Sequence, residues 1–159
     1  MNKHADKCPV CDMIVGPTEF TLQYHKMYFH FCSEQCLNNF KERPGLYLKS
    51  SIKNAGEITK TRIITLNRPL NGEAVELVKS VLMELMGVKE VLIANDDIQV
   101  TYDLKQVKEI QIEELLSEIE LEIKNNWFSR LKRRHIQQTE ENELDNLVAS
   151  PRTYNKAPR

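Results

Sequence analysis

At 159 residues, with 41% hydrophobic and 28% charged residues, the chain has room for one ordinary domain or two small ones and for a modest core. A formal net charge of -1 argues against a nucleic-acid-binding or membrane-binding field over the whole molecule. The charge is unevenly placed: residues 1–56 carry +7 and -5, residues 57–125 carry +8 and -14, and residues 126–159 carry +7 and -4.

The N-terminus, MNKHADKCPVCD, lacks the apolar run of a secretory signal, and no stretch approaches the ~20 apolar residues of a membrane span. The sequence therefore predicts a cytoplasmic protein. Disulfides are disfavoured in that compartment, so four cysteines confined to residues 8–36 read as metal ligands.

Residues 8–48 form the first unit. A cysteine pair is followed by the turn signal Gly16-Pro17, an alternating stretch from Phe20 to Phe31, a short helix from about Ser33, and a stop at Pro44-Gly45. A unit of about 40 residues with so few apolar side chains needs a metal or disulfides to fold.

Cys8 and Cys11 are two residues apart, the spacing at which a tight turn aims two thiolates at one ion. Cys32 and Cys36 straddle a helix start capped by Ser33, whose positive end should lower both thiol pKa values. Cys8, Cys11, Cys32 and Cys36 together satisfy tetrahedral zinc with no open position, and soft thiolates also suit copper(I). Ordinary buried cysteines are the plainer alternative, but two close pairs in a core-poor unit argue against it. His25, placed in the strand, and His30, two residues before Cys32, are alternative ligands. Met13 and Met27 are alternatives for copper, although packing is the commoner use of both residue types.

The run Cys8-Pro-Val-Cys-Asp-Met13, then Tyr28-Phe-His-Phe-Cys-Ser-Glu-Gln-Cys36, Phe40 and Pro44-Gly-Leu-Tyr47 resembles the YHS and TRASH domains. These are treble-clef-like metal modules found on heavy-metal transporting ATPases and metal-responsive regulators. Twenty residues between Cys11 and Cys32 and three between Cys32 and Cys36 fit the TRASH pattern. Cys8 departs from the acidic residue more usual in YHS sequences, and Asp12 stands where they have glycine.

Residues 49–60, KSSIKNAGEITK, read as a linker. Arg62 to Leu66 then reads as a strand. Glu73 to Met86 places Ala74, Val75, Val78, Val81, Leu82 and Leu85 on one helical face. Val88 to Ala94 is a second strand, Asn95-Asp96-Asp97 a hairpin turn, and Ile98, Val100 and Tyr102 alternate along a third strand. A second helix carries Ile112, Leu115, Leu116, Ile119 and Ile123 and is expected to run through Trp127 toward Leu131.

This βαββα order, most closely over Leu85 to Asp103, resembles the heavy-metal-associated (HMA) domain of copper chaperones and transporting ATPases. That resemblance implies a ferredoxin-like fold, normally closed by a fourth strand. The family's two metal-binding cysteines fall at Asn71 and Ala74 here, so this unit is not expected to bind copper; Asn71 reads instead as a helix N-cap. Its open sheet edge and acidic face are then available to a partner. Beyond it, Arg130 to His135 is a basic helical face, Glu140 to Val148 a short helix, and Ser150 to Arg159 a disordered tail.

The expected fold class is thus α+β, a treble-clef-like zinc module plus a ferredoxin-like βαββα unit with a C-terminal helical extension. The expected domains are 1–48, a linker at 49–60, 61–135 with an extended last helix, and 136–159. There is no glycine-rich phosphate loop or nucleophile elbow, and the chain reads as a non-enzyme. The expected function is a soluble metal-binding protein of zinc or copper homeostasis, accessory or chaperone-like to a transporter. Expected partners are a metal-transporting ATPase or a metallochaperone rather than nucleic acid. The alternatives are an adaptor with a purely structural zinc and a metal-responsive regulator.

Overall fold

The computed structural model describes residues 6–16, 19–49 and 56–149. Two short hairpins begin the chain. Strands β1 (Asp6–Lys7) and β2 (Ile14–Val15) pair antiparallel and close a turn that carries Cys8 and Cys11. Strands β3 (Thr21–Tyr24) and β4 (Met27–His30) form the second hairpin, so the alternating run from Phe20 to Phe31 folds back on itself. His25 lies in its two-residue turn and not in a strand. With φ of 47° and 65°, His25 and Lys26 take the left-handed geometry of a primed hairpin turn, which neither residue type advertises.

Helices α1 (Glu34–Glu42) and α2 (Pro44–Leu48) complete this module. Ser33 caps α1, accepting a 3.3 Å hydrogen bond from the Cys36 amide, and Pro44 opens α2 at a position where its missing N–H costs nothing. The module's apolar centre is Phe40. Rings of Tyr24, Phe29, Phe31 and Tyr47 lie 5.2–6.2 Å from it, which explains the aromatic residues of the motif.

The second unit is a three-stranded antiparallel sheet, order β5-β7-β6, from β5 (Thr59–Thr65), β6 (Val88–Ala94) and β7 (Asp97–Asp103). Helix α3 (Gly72–Glu84) links β5 to β6, and α4 (Glu109–Glu118) follows β7. Connectivity and strand order are those of a ferredoxin-like fold. Asn71 caps α3 through a 2.9 Å bond from the Ala74 amide. Ile64, Val91, Ile98, Val100 and Tyr102 on one sheet face meet Val78, Leu82, Ile112 and Leu116 of the helices, all nearly inaccessible to solvent. Ile119, expected in that core, is only partly buried.

The second helix does not run on toward Leu131. It ends at Glu118, because Glu120 takes φ +62° and the Leu121 and Glu120 amides bond back to the Leu116 and Ser117 carbonyls, a Schellman stop made without glycine. The freed segment crosses to the sheet. Leu66 and Ile123 form an antiparallel bridge, flanked by 2.8 Å bonds from Asn67 N–H to the Glu122 carbonyl and from Lys124 N–H to the Thr65 carbonyl. The fourth strand of the ferredoxin-like pattern is reduced to this single bridge. Asn126 then caps a new helix, α5 (Trp127–Val148), of 22 residues. The short helix expected at Glu140 to Val148 is its last third. The expected tail, Ser150 to Arg159, lies outside the described residues, as do residues 50–55 of the expected linker. The remainder of that linker is partly structured, since β5 already starts at Thr59.

Helix α5 is pinned by a buried carboxylate. Glu140, 1% exposed, accepts hydrogen bonds from the Tyr102 hydroxyl and from the Glu109 amide, and Arg62 stands 3.6 Å away. Lys60 to Glu143 (2.7 Å) and Arg133 to Glu113 (3.5 Å) extend the attachment. One residue of the expected basic face is thereby turned inward: Arg133 is committed to Glu113 and Asn125, whereas Arg130, Lys132 and Arg134 are exposed.

Candidate metal centre

Three local devices deliver the four cysteines. Cys8 and Cys11 sit in the β1–β2 turn, held by a bond from Cys8 N–H to the Met13 carbonyl (2.8 Å) and from Asp12 N–H to the Cys8 carbonyl (2.9 Å). Asp12 adopts φ +62°, a conformation that suits glycine best and that aspartate tolerates, so the departure at this position preserves the turn. Cys32 follows β4, and Cys36 lies in the first turn of α1.

The four sulfurs converge to within 4.8 Å of one another. Cys11 and Cys32 approach to 3.4 Å, and Cys32 and Cys36 to 3.5 Å. A tetrahedron of sulfurs at the usual zinc distance has edges of roughly 3.8 Å, so the cluster is already the size of a closed four-thiolate cage. Cys8 and Cys36 are fully buried; Cys11 and Cys32 are partly buried. Beside Cys11 a cleft of about 270 Å³ separates the turn from the second unit, lined in part by Tyr47, Glu57 and Lys105.

Four thiols this close cannot ionise independently. The Cys36 thiol donates to Cys8, which brings the Cys8 pKa down to about 4 against the opposing effect of burial. The same bond, reinforced by burial, pushes Cys36 up, and burial pushes Cys11 up to about 12. The helix start was expected to lower the Cys36 pKa. Its Ser33 contact does act in that direction, but the proton given to Cys8 outweighs it. A bound cation would replace such protons, as thiolate coordination requires.

The alternative ligands stand apart from this cluster. His30 places Nδ1 2.9 Å from the Thr21 hydroxyl and Nε2 3.6 Å from Asp6. His25 packs edge-on against Tyr24, and Met13 and Met27 are more than half exposed. Among the described residues the metal-sized cluster is made of the four cysteines alone.

Sequence reasoning missed what lies behind the site. The Gln35 amide, one residue before Cys36, grips the α3–β6 turn: Met86 N–H donates to Gln35 Oε1 at 3.0 Å, and Gln35 Nε2 donates to the carbonyls of Met86 (2.8 Å) and Gln106 (3.2 Å). Asn39 adds a 2.5 Å bond to the Gln106 carbonyl, and the Tyr47 hydroxyl a 2.7 Å bond to that of Lys105. The module thus docks on the end of the sheet where β7 leaves. Asn71 and Ala74 lie beyond the opposite end, after Thr65. The one available signal was Gly87, whose φ of +101° and closeness to Gln106 (2.6 Å from a built Cβ) mark a turn pressed against its neighbours.

Residues 7–51 match the YHS domain. This YHS module is the treble-clef-like first unit, and the match leaves the sheet and α5 outside it. Among solved structures, a crystal structure of oxidized MerP from Ralstonia metallidurans CH34 aligns with 42% of this chain and 96% of its own, at 14% identity and a TM-score of 0.39. No curated protein matches the chain. Among the described residues no helix is long and apolar enough to cross a membrane.

Proposed function

We propose that this chain is a metal-binding protein of zinc or copper homeostasis, not an enzyme, and that Cys8, Cys11, Cys32 and Cys36 hold one ion per chain. The observation that carries this reading is the convergence of four sulfurs within 4.8 Å in a YHS module. An accessory or chaperone-like role beside a metal transporter or another metallochaperone is supported by the uneven burial of the site. Two of the cysteines are only partly buried, and a cleft opens beside Cys11, which would give an incoming ligand a path to the ion.

A second reading has its own observation. The bonds from Gln35, Asn39 and Tyr47 fasten the module to the second unit, as befits a zinc that is purely architectural in an adaptor. Metal exchange separates the two. Protein purified without added metal is analysed for zinc and copper, then mixed with a chelator of matched affinity. A transfer site gives up its ion within minutes while the fold stays intact; an architectural ion leaves only as the module unfolds. Less than about one equivalent of any soft metal under reducing conditions would contradict both.

A further inference from the structure

A fifth sulfur reaches the cluster from the second unit. Met86 Sδ lies 3.5 Å from the Cys36 sulfur, the same separation as that between Cys36 and Cys32. The Met86 backbone is held on both its N–H and its carbonyl by the side chain of Gln35, the neighbour of Cys36, so the thioether and the thiol are registered to each other through one clamp. Gly87 fixes the turn from the other side, packed against Gln106 and Val107. Met86 is half-buried, whereas Met13, Met27 and Met83 are 45–55% exposed.

A thioether is soft and uncharged. Zinc takes all four thiolates and has no position left for it, whereas a soft monovalent ion is held by two or three thiolates, which leaves room for an uncharged thioether and keeps the negative charge of a half-buried site down. We propose that the centre takes a monovalent soft cation, copper(I) or silver(I), with Met86 as a ligand beside Cys36 in place of one of the other three thiols, so that the site is shared between the YHS module and the second unit. This rests on the reading of the four cysteines as a metal centre and adds the class of ion to it.

The test uses the full chain, reduced and anaerobic, with ¹³C-methyl-labelled methionine. Silver(I) should shift the Met86 methyl resonance while zinc leaves it nearly in place, with the exposed methionines as internal controls. In the Met86→Leu variant, copper(I) affinity measured against a bathocuproine chelator should fall about tenfold, and zinc affinity measured against a pyridylazo indicator should be unchanged. An unmoved Met86 methyl on silver(I) binding overturns the shared site even if the variant does not fold. Equal loss of both metals in the variant, or loss of neither, overturns it too and leaves Met86 as packing. A wild-type chain that binds none of the three ions refutes the metal centre itself, which is a different failure.

Discussion

The two halves of this molecule hold together for different physical reasons. The YHS module gathers its aromatic rings around Phe40, but its remaining interior is little more than Cys8, Cys36, Val10, Val15 and Leu46, and its strands are two to four residues long. The second unit has seven-residue strands and an apolar layer from Ile64 to Leu116 that needs no ligand. On the proposed function the first depends on the ion it binds, and the second on what it buries. The lesson is that a weak core and a strong one can be welded by a few polar contacts, the side-chain-to-backbone hydrogen bonds of Gln35, Asn39 and Tyr47 and the ion pairs of Arg43 with Glu141 and Asp145 and of Lys108 with Glu42.

The sharpest way to break this contrast is Cys36→Ser. It should abolish tight binding of the ion and remove on the order of 10 kcal/mol of metal-linked stability from the module. Amide exchange at Phe31 and Phe40 should become fast, while Val91, Ile98 and Val100 remain protected. Loss of protection in the sheet as well would mean that the two halves are one cooperative core.

The second unit has a weak point of its own. Glu140→Ala strips the Tyr102 hydroxyl, the Glu109 amide and Arg62 of a shared buried acceptor. Roughly 3 kcal/mol of stability should be lost, with α5 released from the sheet. Denaturant unfolding followed by Trp127 fluorescence measures it. A change below about 1 kcal/mol would show that α5 is not anchored there.

Beside it, Glu109 is 2% exposed, and its Oε2 is without a hydrogen-bond partner. Burial, aided by the nearby carboxylates of Glu113 and Glu140, raises its pKa from 4.5 to about 7. The fold therefore prefers the protonated acid. This group's contribution is complete below pH 4.5 and is lost as pH rises through 7, by up to about 3 kcal/mol. Glu109→Gln should thus raise stability by about 2 kcal/mol at pH 8 and leave it nearly unchanged at pH 4. An equal effect at both pH values would place the carboxylate in water.

The smallest effect concerns the weld itself. Gln35→Ala leaves the Met86 amide without its acceptor and should cost about 1–2 kcal/mol. Its signature is faster exchange of the Met86 amide with no loss of metal stoichiometry.

Legibility in the sequence followed the range of the interactions. The cysteine spacing, the Ser33 and Asn71 caps and the three-strand alternation rest on neighbours within a few residues, and the structure has all of them. The helix stop at Glu118 was hidden because a glutamate does there what glycine usually does. The start of α5 was legible in Asn126 but was masked by the apolar residues on either side.

What the sequence determined by itself is the set of four thiols, brought toward one another by a tight turn and a helix start, and the strand and helix pattern of the second unit. Those follow from local backbone geometry and apolar period. Only the tertiary structure decided that Met86 meets Cys36 fifty residues away, that Gln35 clasps a turn of the other unit, and that Glu140 rather than a fourth strand completes the fold. Such contacts leave no trace in spacing or composition, because a side chain's partner across a packed interface is chosen by the surfaces that fit and by the buried polar atoms that must be paired.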